Sequence, residues 1–282
     1  MLHLAEVRFA RGFKIVPTGS PSSHDFPKAS PGLETFGMKF SSGGAHISRT
    51  MMLAELEAVL GAVPVHSPAS DYRGAILKRN VLAKTTDSTR EKSLRHLREL
   101  YALDEAAPMF GLLRKLHSFD ASSLPLLAVQ VAWARDPLLR ATTVAVMEAS
   151  VGDRVETGSL AQALEATFPG QYSELNRNKV ARNAASSWTQ SGHLVGRVNK
   201  MRQQIKPTPV AVCMALFLGG IVGFHGATIF SNPWCLLLDL NGDRARTMAQ
   251  EAHRAGLLNL RAVGEVVDLT FPVLAEFLPR SS

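Results

Sequence analysis

Residues Ser173–Lys206 read SELNRNKVARNAASSWTQSGHLVGRVNKMRQQIK. Wound as a helix at about 100° per residue, Ser173–Gln190 divides into two sides. Val180, Ala181, Ala184, Ala185 and Trp188 share one side, small enough to pack closely on a neighbour. Asn178, Lys179, Arg182, Asn183, Ser186 and Gln190 gather on the other. That second side carries the side chains that pair with base edges, together with Lys for phosphate. Gly192 closes the helix, and His193–Val198 has the pattern of the first strand of a wing. Lys200, Arg202 and Lys206 then fall on the wing's tip and return strand, with Arg197 before them.

Working outward, no Asp or Glu occurs between Glu174 and Asp239, a run of 64 positions in a chain where about one residue in twelve is acidic. Arg177, Lys179, Arg182, Arg197, Lys200, Arg202 and Lys206 all lie in the first half of that run. An apolar stretch explains the second half but not the first. Upstream, Ser159–Phe168 has helical spacing and Pro169-Gly170 makes a turn. Helix, helix and basic hairpin in this order are those of a winged helix. The bland alternative for these residues is a solvated cationic face on a helical bundle.

The N-terminal half is also helical in pattern. Met52, Leu53, Leu56, Val59 and Leu60 recur at three- and four-residue spacing until Gly61 and Pro64 stop them. A short helix over Asp71–Val81 follows. Another starts from the cap Thr85-Thr86-Asp87-Ser88 and runs to Tyr101, the order of a helix-turn-helix core. Opposite its leucines lie Ser88, Lys92, Arg95 and His96, with Arg73, Lys78, Arg79 and Lys84 just upstream, a second candidate nucleic-acid surface, although Glu91 and Glu99 are interleaved. Pro108–Glu148 reads as further scaffold helices.

These readings give a mainly α fold: a helical bundle with helix-turn-helix or winged-helix-like units and short β-hairpins. Three segments are expected: a flexible Pro/Ser/Gly-rich extension over 1–44, a helical domain over 45–150, and a winged-helix-like domain over 151–282, after a polar break at Val151–Gly158. The last holds an apolar helix near Val210–Gly223, another near Asp243–Ala255, and a terminal hairpin within Leu257–Phe271. Met38 is a candidate alternative start, which leaves open whether residues 1–37 belong to the native protein.

The chain has 282 residues, 46% hydrophobic and 20% charged, with a net charge of +7. Such basicity suits an anionic partner: nucleic acid, a membrane surface or an acidic protein. Cys213 and Cys235, the only cysteines, sit in apolar surroundings and read as buried thiols, which excludes a disulfide scaffold. No secretory pattern opens the chain, and the uncharged run Val210–Phe224 falls short of the ~20 residues that span a bilayer. A cytoplasmic protein without membrane contact is therefore expected. No Walker loop, nucleophile elbow or His-Glu-x-x-His motif is present, and the nine histidines are dispersed. The expectation is a protein with no enzymatic activity, metal or cofactor. Gly219-Gly220-Ile221-Val222-Gly223 follows no recognisable strand and reads as close helix packing or a helix end.

Phe40-Ser41-Ser42-Gly43-Gly44-Ala45, the helix after it, and the stretch from Asn80 to Arg90 (NVLAKTTDSTR) together resemble the BrxA family of BREX bacteriophage-defence systems. The similarity is spread over much of Met38–Leu274. The chain departs from that pattern in its Pro-rich extension before Met38 and its long apolar C-terminal tail. The resemblance implies a non-catalytic, helical-plus-wing protein that binds DNA beside larger modification and ATPase subunits. It points to Ser88, Arg90 and their neighbours, and to Asn183–Lys206. Two other readings of the same basic face stand beside DNA binding: an adaptor docking an acidic partner subunit, and an RNA-binding protein.

Overall fold

The computed structural model describes residues 26–263 and 266–278, and these fold mainly as helices with two small antiparallel hairpins. Contacts divide the chain into two units, Glu34–Ile205 and a second made of Met1–Leu33 with Lys206–Ser282.

Capping residues decide where most helices begin. In the Glu34–Ile205 unit, α2 (Leu53–Ala62) and α3 (Ala69–Leu77) precede α4 (Asp87–Tyr101), which starts from a reciprocal capping box between Thr86 and Thr89. Helices α5 (Pro108–Phe119), α6 (Leu124–Arg135) and α7 (Pro137–Ala141) each carry a proline in their first turn, where a missing N–H costs nothing. Short α8 (Thr143–Met147) leads to α9 (Thr157–Thr167) and α10 (Glu174–Gln190), the latter capped by the Ser173 side chain. A hairpin of β1 (Leu194–Val195) and β2 (Met201–Arg202) closes the unit. Almost every residue of α6 is buried, which places this helix in the core, as its unbroken apolar sequence requires.

The segment before α2 is not a loose extension throughout. Residues 1–25 lie outside the described residues, but Pro31–Phe36 form α1, and Leu33, Phe36 and Met38 are buried. The cause lies about a hundred residues away. Arg135 Nη1 donates to Gly37 O (2.7 Å), Arg140 Nη2 donates to Lys39 O (2.8 Å), and Lys39 N–H donates to Ala134 O (3.0 Å). Backbone groups that a Ser/Gly-rich stretch would leave to water are thus satisfied by the end of α6 and by Arg140 of α7.

Asp136 extends this hub. Its carboxylate caps α7 through Leu138 N–H (3.0 Å) and Leu139 N–H (3.1 Å), and accepts His46 N–H (3.1 Å) and His46 Nδ1 (2.8 Å). Gly44 passes directly over that carboxylate at φ 148°, and a Cβ there would fall on it. Gly43, at φ 118°, has open space around its missing side chain. Gly44→Ala should therefore cost about 2–4 kcal/mol from strain plus overpacking. Gly43→Ala should cost only the backbone strain of about 1–2 kcal/mol. Urea-unfolding midpoints of the two variants check the difference.

The polar break at Val151–Gly158 is a turn inside this unit, and the division falls at Ile205/Lys206 instead. Helix α10 packs on α9, α6 and α7, and Trp188 Nε1 donates to Thr142 Oγ1 at 2.9 Å. A segment buried this way stays with the helices that precede the break.

The Lys206–Ser282 part of the other unit is built round α11 (Pro209–Ile221), buried over nearly its whole length. Short α12 (Pro233–Leu237) and α13 (Gly242–Arg254) follow, capped by Asn232 and Asn241. A hairpin of β3 (Asn259–Val263) and β4 (Val266–Thr270) completes it in the expected place. Cys213 and Cys235 are buried free thiols, as expected, and burial pushes both well above the ordinary thiol pKa, the latter to about 12. Phe26 lies 5.9 Å, ring to ring, from Trp234. Gly219 fits against Asn232, where a side chain would collide, so that glycine serves close packing.

Candidate nucleic-acid interface

Helices α9 and α10 are joined by a turn through Gly170, in the left-handed region at φ 70°. Val180, Ala181, Ala184, Ala185 and Trp188 of α10 are buried, the side the sequence assigned to the core. Leu175, Lys179, Arg182, Ser186 and Thr189 recur at four- and three-residue spacing and line the opposite side. Lys179 and Arg182 are exposed, and their side chains have no hydrogen-bond or ion-pair partner among the described residues. Thr189, at the end of this line, receives Lys200 Nζ from the hairpin at 2.9 Å. The hairpin therefore begins where the cationic line of α10 ends.

The hairpin has a third member that the sequence did not reveal. Gly152 N–H donates to Arg202 O (2.9 Å), Arg202 N–H to Asp153 O (2.8 Å) and Val155 N–H to Lys200 O (2.8 Å). The strand-like piece Gly152–Val155 thus pairs with β2. Only the β-branched Val151 and Val155 around Gly152-Asp153 hint at it in the sequence.

Several residues read from the sequence as surface contacts are engaged in the fold instead. Arg202 is 4% exposed, with its guanidinium on His193 O (3.4 Å), Gln203 O and Met147 Sδ (3.4 Å). It is an internal brace, because buried carbonyls at the strand end need donors. Lys200 braces the turn through Gly196 O (2.9 Å), and partial burial lowers its pKa from the usual lysine value. Asn183 Nδ2 holds His46 O (2.8 Å), and Ser186 Oγ bonds back to Arg182 O (3.0 Å). Asn178 is half-buried beside the line, and Arg197 is exposed at the hairpin turn without a partner among the described residues. Lys206 is exposed but belongs to the other unit. Arg202→Ala should lower stability by about 2–4 kcal/mol by stranding buried carbonyls, while Arg197→Ala should stay within about 0.5 kcal/mol. Paired urea titrations measure both.

On the second surface, Ser88, Lys92 and Arg95 are exposed along α4, but Arg90 is tied to Leu77 O (3.0 Å) and Asp87 Oδ1 (3.1 Å). Arg95 and Arg98 flank a shallow groove of about 360 Å³ with Arg73, Glu91 and Leu94. Glu91 within that groove interrupts the positive surface.

No family model matches this chain, and no curated protein does.

One buried constellation has catalytic-looking geometry. His46 Nδ1 lies 2.8 Å from Asp136 Oδ2, and His46 Nε2 lies 2.8 Å from Ser187 Oγ. All three side chains are at most 1% exposed, and Ser187 Oγ also accepts Met51 N–H (2.8 Å) and donates to Asn183 O (3.0 Å). Its hydrogen-bonding capacity is taken up in joining residues 46–51 to α10. Among the described residues no group of His, Cys, Asp or Glu could hold a metal ion, and no helix is long and apolar enough to cross a membrane.

The outward side of α13, which the sequence alone did not single out, carries Arg244, Thr247, Gln250 and Arg254, all exposed. Asp243 and Glu251 beside them gave this helix the look of an ordinary solvated one. The order of α11, α12, α13 and hairpin, in which short α12 was not expected, draws attention to it.

Proposed function

We propose that this chain is a duplex-DNA-binding protein whose contact face is the exposed line of α10 together with the β1–β2 hairpin. The observation that carries the reading is the pairing state of the cations. Lys179, Arg182 and Arg197 stay exposed without carboxylate partners on or beside one helix face, while Arg177 is drawn away to Glu165 (2.6 Å). Unneutralised cations on a ridge attract polyphosphate and gain affinity by releasing its counterions.

The order of elements supports the same reading. A strand-like piece, two helices joined by a turn, and a hairpin whose return strand pairs with that piece form the winged-helix arrangement. Its second helix fits the major groove of B-form DNA, whereas the major groove of A-form RNA is too deep and narrow for side chains to read. Ser186 and Asn178 flank the cations and can approach base edges or phosphates. The exposed Lys92 and Arg95 of α4 add a secondary phosphate contact. The resemblance to BrxA supports placing the protein in a cytoplasmic bacteriophage-defence assembly, where it positions DNA for other subunits and does no chemistry itself.

Fluorescence anisotropy with a labelled 20-base-pair duplex, the same single strand and an RNA duplex tests the proposal. Tightest binding to duplex DNA is expected. Preference for RNA transfers the face to RNA, and no binding to any of the three, with nuclease-resistant co-purification of an acidic protein, replaces DNA binding by adaptor docking.

A further inference from the structure

The hairpin next to α10 is poor in free cations but ends in an apolar side chain. Val198 is 85% exposed, the most exposed large apolar side chain among the described residues. Val195 on β1 is 50% exposed and Val151, beside the paired piece, 62%. Soluble surfaces carry single exposed apolar groups without purpose. Here, however, the exposed valine stands on a braced turn, next to an arginine without a partner among the described residues.

The turn is braced by hydrogen bonds. Gly196 takes φ 103°, and a Cβ there would fall on Asn199 O, so the five-residue connection 196–200 folds back closely on itself. Lys200 Nζ spans the turn to Gly196 O and fixes it to Thr189 of α10, both at 2.9 Å. Arg202 holds the base from inside. With those cations committed to the fold, the side chains that the tip presents are Arg197, Val198 and Asn199.

We infer that this tip enters the DNA minor groove, Arg197 lying between the phosphate backbones that wall it and Val198 wedging a base step. The inference rests on the DNA-binding reading above and specifies its ligand: a duplex with a narrow A·T-rich minor groove interrupted by a pyrimidine–purine step. A narrow groove concentrates negative potential that attracts Arg, and such steps unstack most readily. Apolar wedges on minor-groove binders kink duplexes by roughly 20–90°. A pre-braced turn loses little freedom on insertion, which a floppy loop would not offer.

The test uses the full chain and a 24-base-pair duplex with a central TpA step in A·T flanks, labelled at both ends for energy transfer. Wild type should shorten the end-to-end distance. Val198→Ala should bind within about threefold of wild type yet leave the duplex close to straight, and Arg197→Ala should lose the preference for A·T flanks. A saturating minor-groove drug of the netropsin type should weaken wild-type binding at least tenfold. Binding that Val198→Ala bends equally, or that ignores the drug, overturns the wedge and leaves the DNA reading standing. Failure of wild type to bind any duplex overturns both. Unfolding midpoints of the two variants should match wild type, since neither side chain has a hydrogen-bond or ion-pair partner among the described residues.

Discussion

Asp136→Ala is expected to destabilise the protein by more than about 4 kcal/mol, enough to leave much of it unfolded at room temperature. The carboxylate is 1% exposed and accepts two N–H groups of α7, one N–H of His46 and the His46 ring. Breaking a buried pair costs about 3–5 kcal/mol, and loss of a helix cap adds about 1 kcal/mol. Total stabilities of about 5–15 kcal/mol leave little margin. Asp136→Asn keeps a capping oxygen and should cost about half as much.

The same site sets an acid limb. Burial pushes the Asp136 carboxyl up, but the electrostatic pull of His46 and the hydrogen bonds from its ring, from Leu139 N–H and from His46 N–H outweigh it, so the pKa lies below the ordinary carboxylate value. A carboxyl lowered by folding contributes stability that is full above its unfolded pKa of about 3.9 and disappears as pH falls through the folded one. Urea midpoints should therefore fall below about pH 4, with a shallower fall in Asp136→Asn. A midpoint of Asp136→Ala within 1 kcal/mol of wild type would remove Asp136 from its place at the hub.

The second large effect is on binding. Lys179→Glu, Arg182→Glu and Arg197→Glu together should weaken duplex affinity about a thousandfold at moderate salt. Three phosphate contacts at about 1–1.5 kcal/mol each, reversed in sign, supply that much. Unfolding midpoints should move by no more than about 0.5 kcal/mol per site, because none of the three side chains has a partner among the described residues. By contrast Lys200 and Arg202, equally basic in sequence, should show their main effect in stability. Gel shifts and urea curves on the same preparations separate the two classes.

Local signals carried most of the helices. The Thr86 cap, the Ser173 cap, the prolines at 108, 137 and 209, and the alternation before Phe271 each act over a few residues, and the elements stand within a few positions of where those residues put them. The small-residue side of α10 was legible for the same reason: burial repeats with the helical period. What was hidden depends on partners far along the chain. Arg135, Asp136 and Arg140 read as unremarkable scaffold, yet they order the segment at 37–46, about ninety to a hundred residues away. Without them the Pro/Ser/Gly composition there points to disorder. Arg202 was misjudged because charge alone does not say whether a guanidinium meets water or a row of carbonyls. The pairing of Gly152–Val155 with β2 is likewise a long-range backbone match with little side-chain signature.

The central claim is that the unpaired cations of α10 and its hairpin neutralise DNA phosphates. Duplex affinity measured from 50 to 300 mM salt, for wild type and for the Lys179/Arg182/Arg197 triple charge-reversal variant, tests it most directly. Log Kd of wild type should rise steeply and linearly with log salt, and the slope should fall by about 3 in the variant, about 1 per lost contact. Equal slopes for the two proteins, with affinity unchanged, would contradict it.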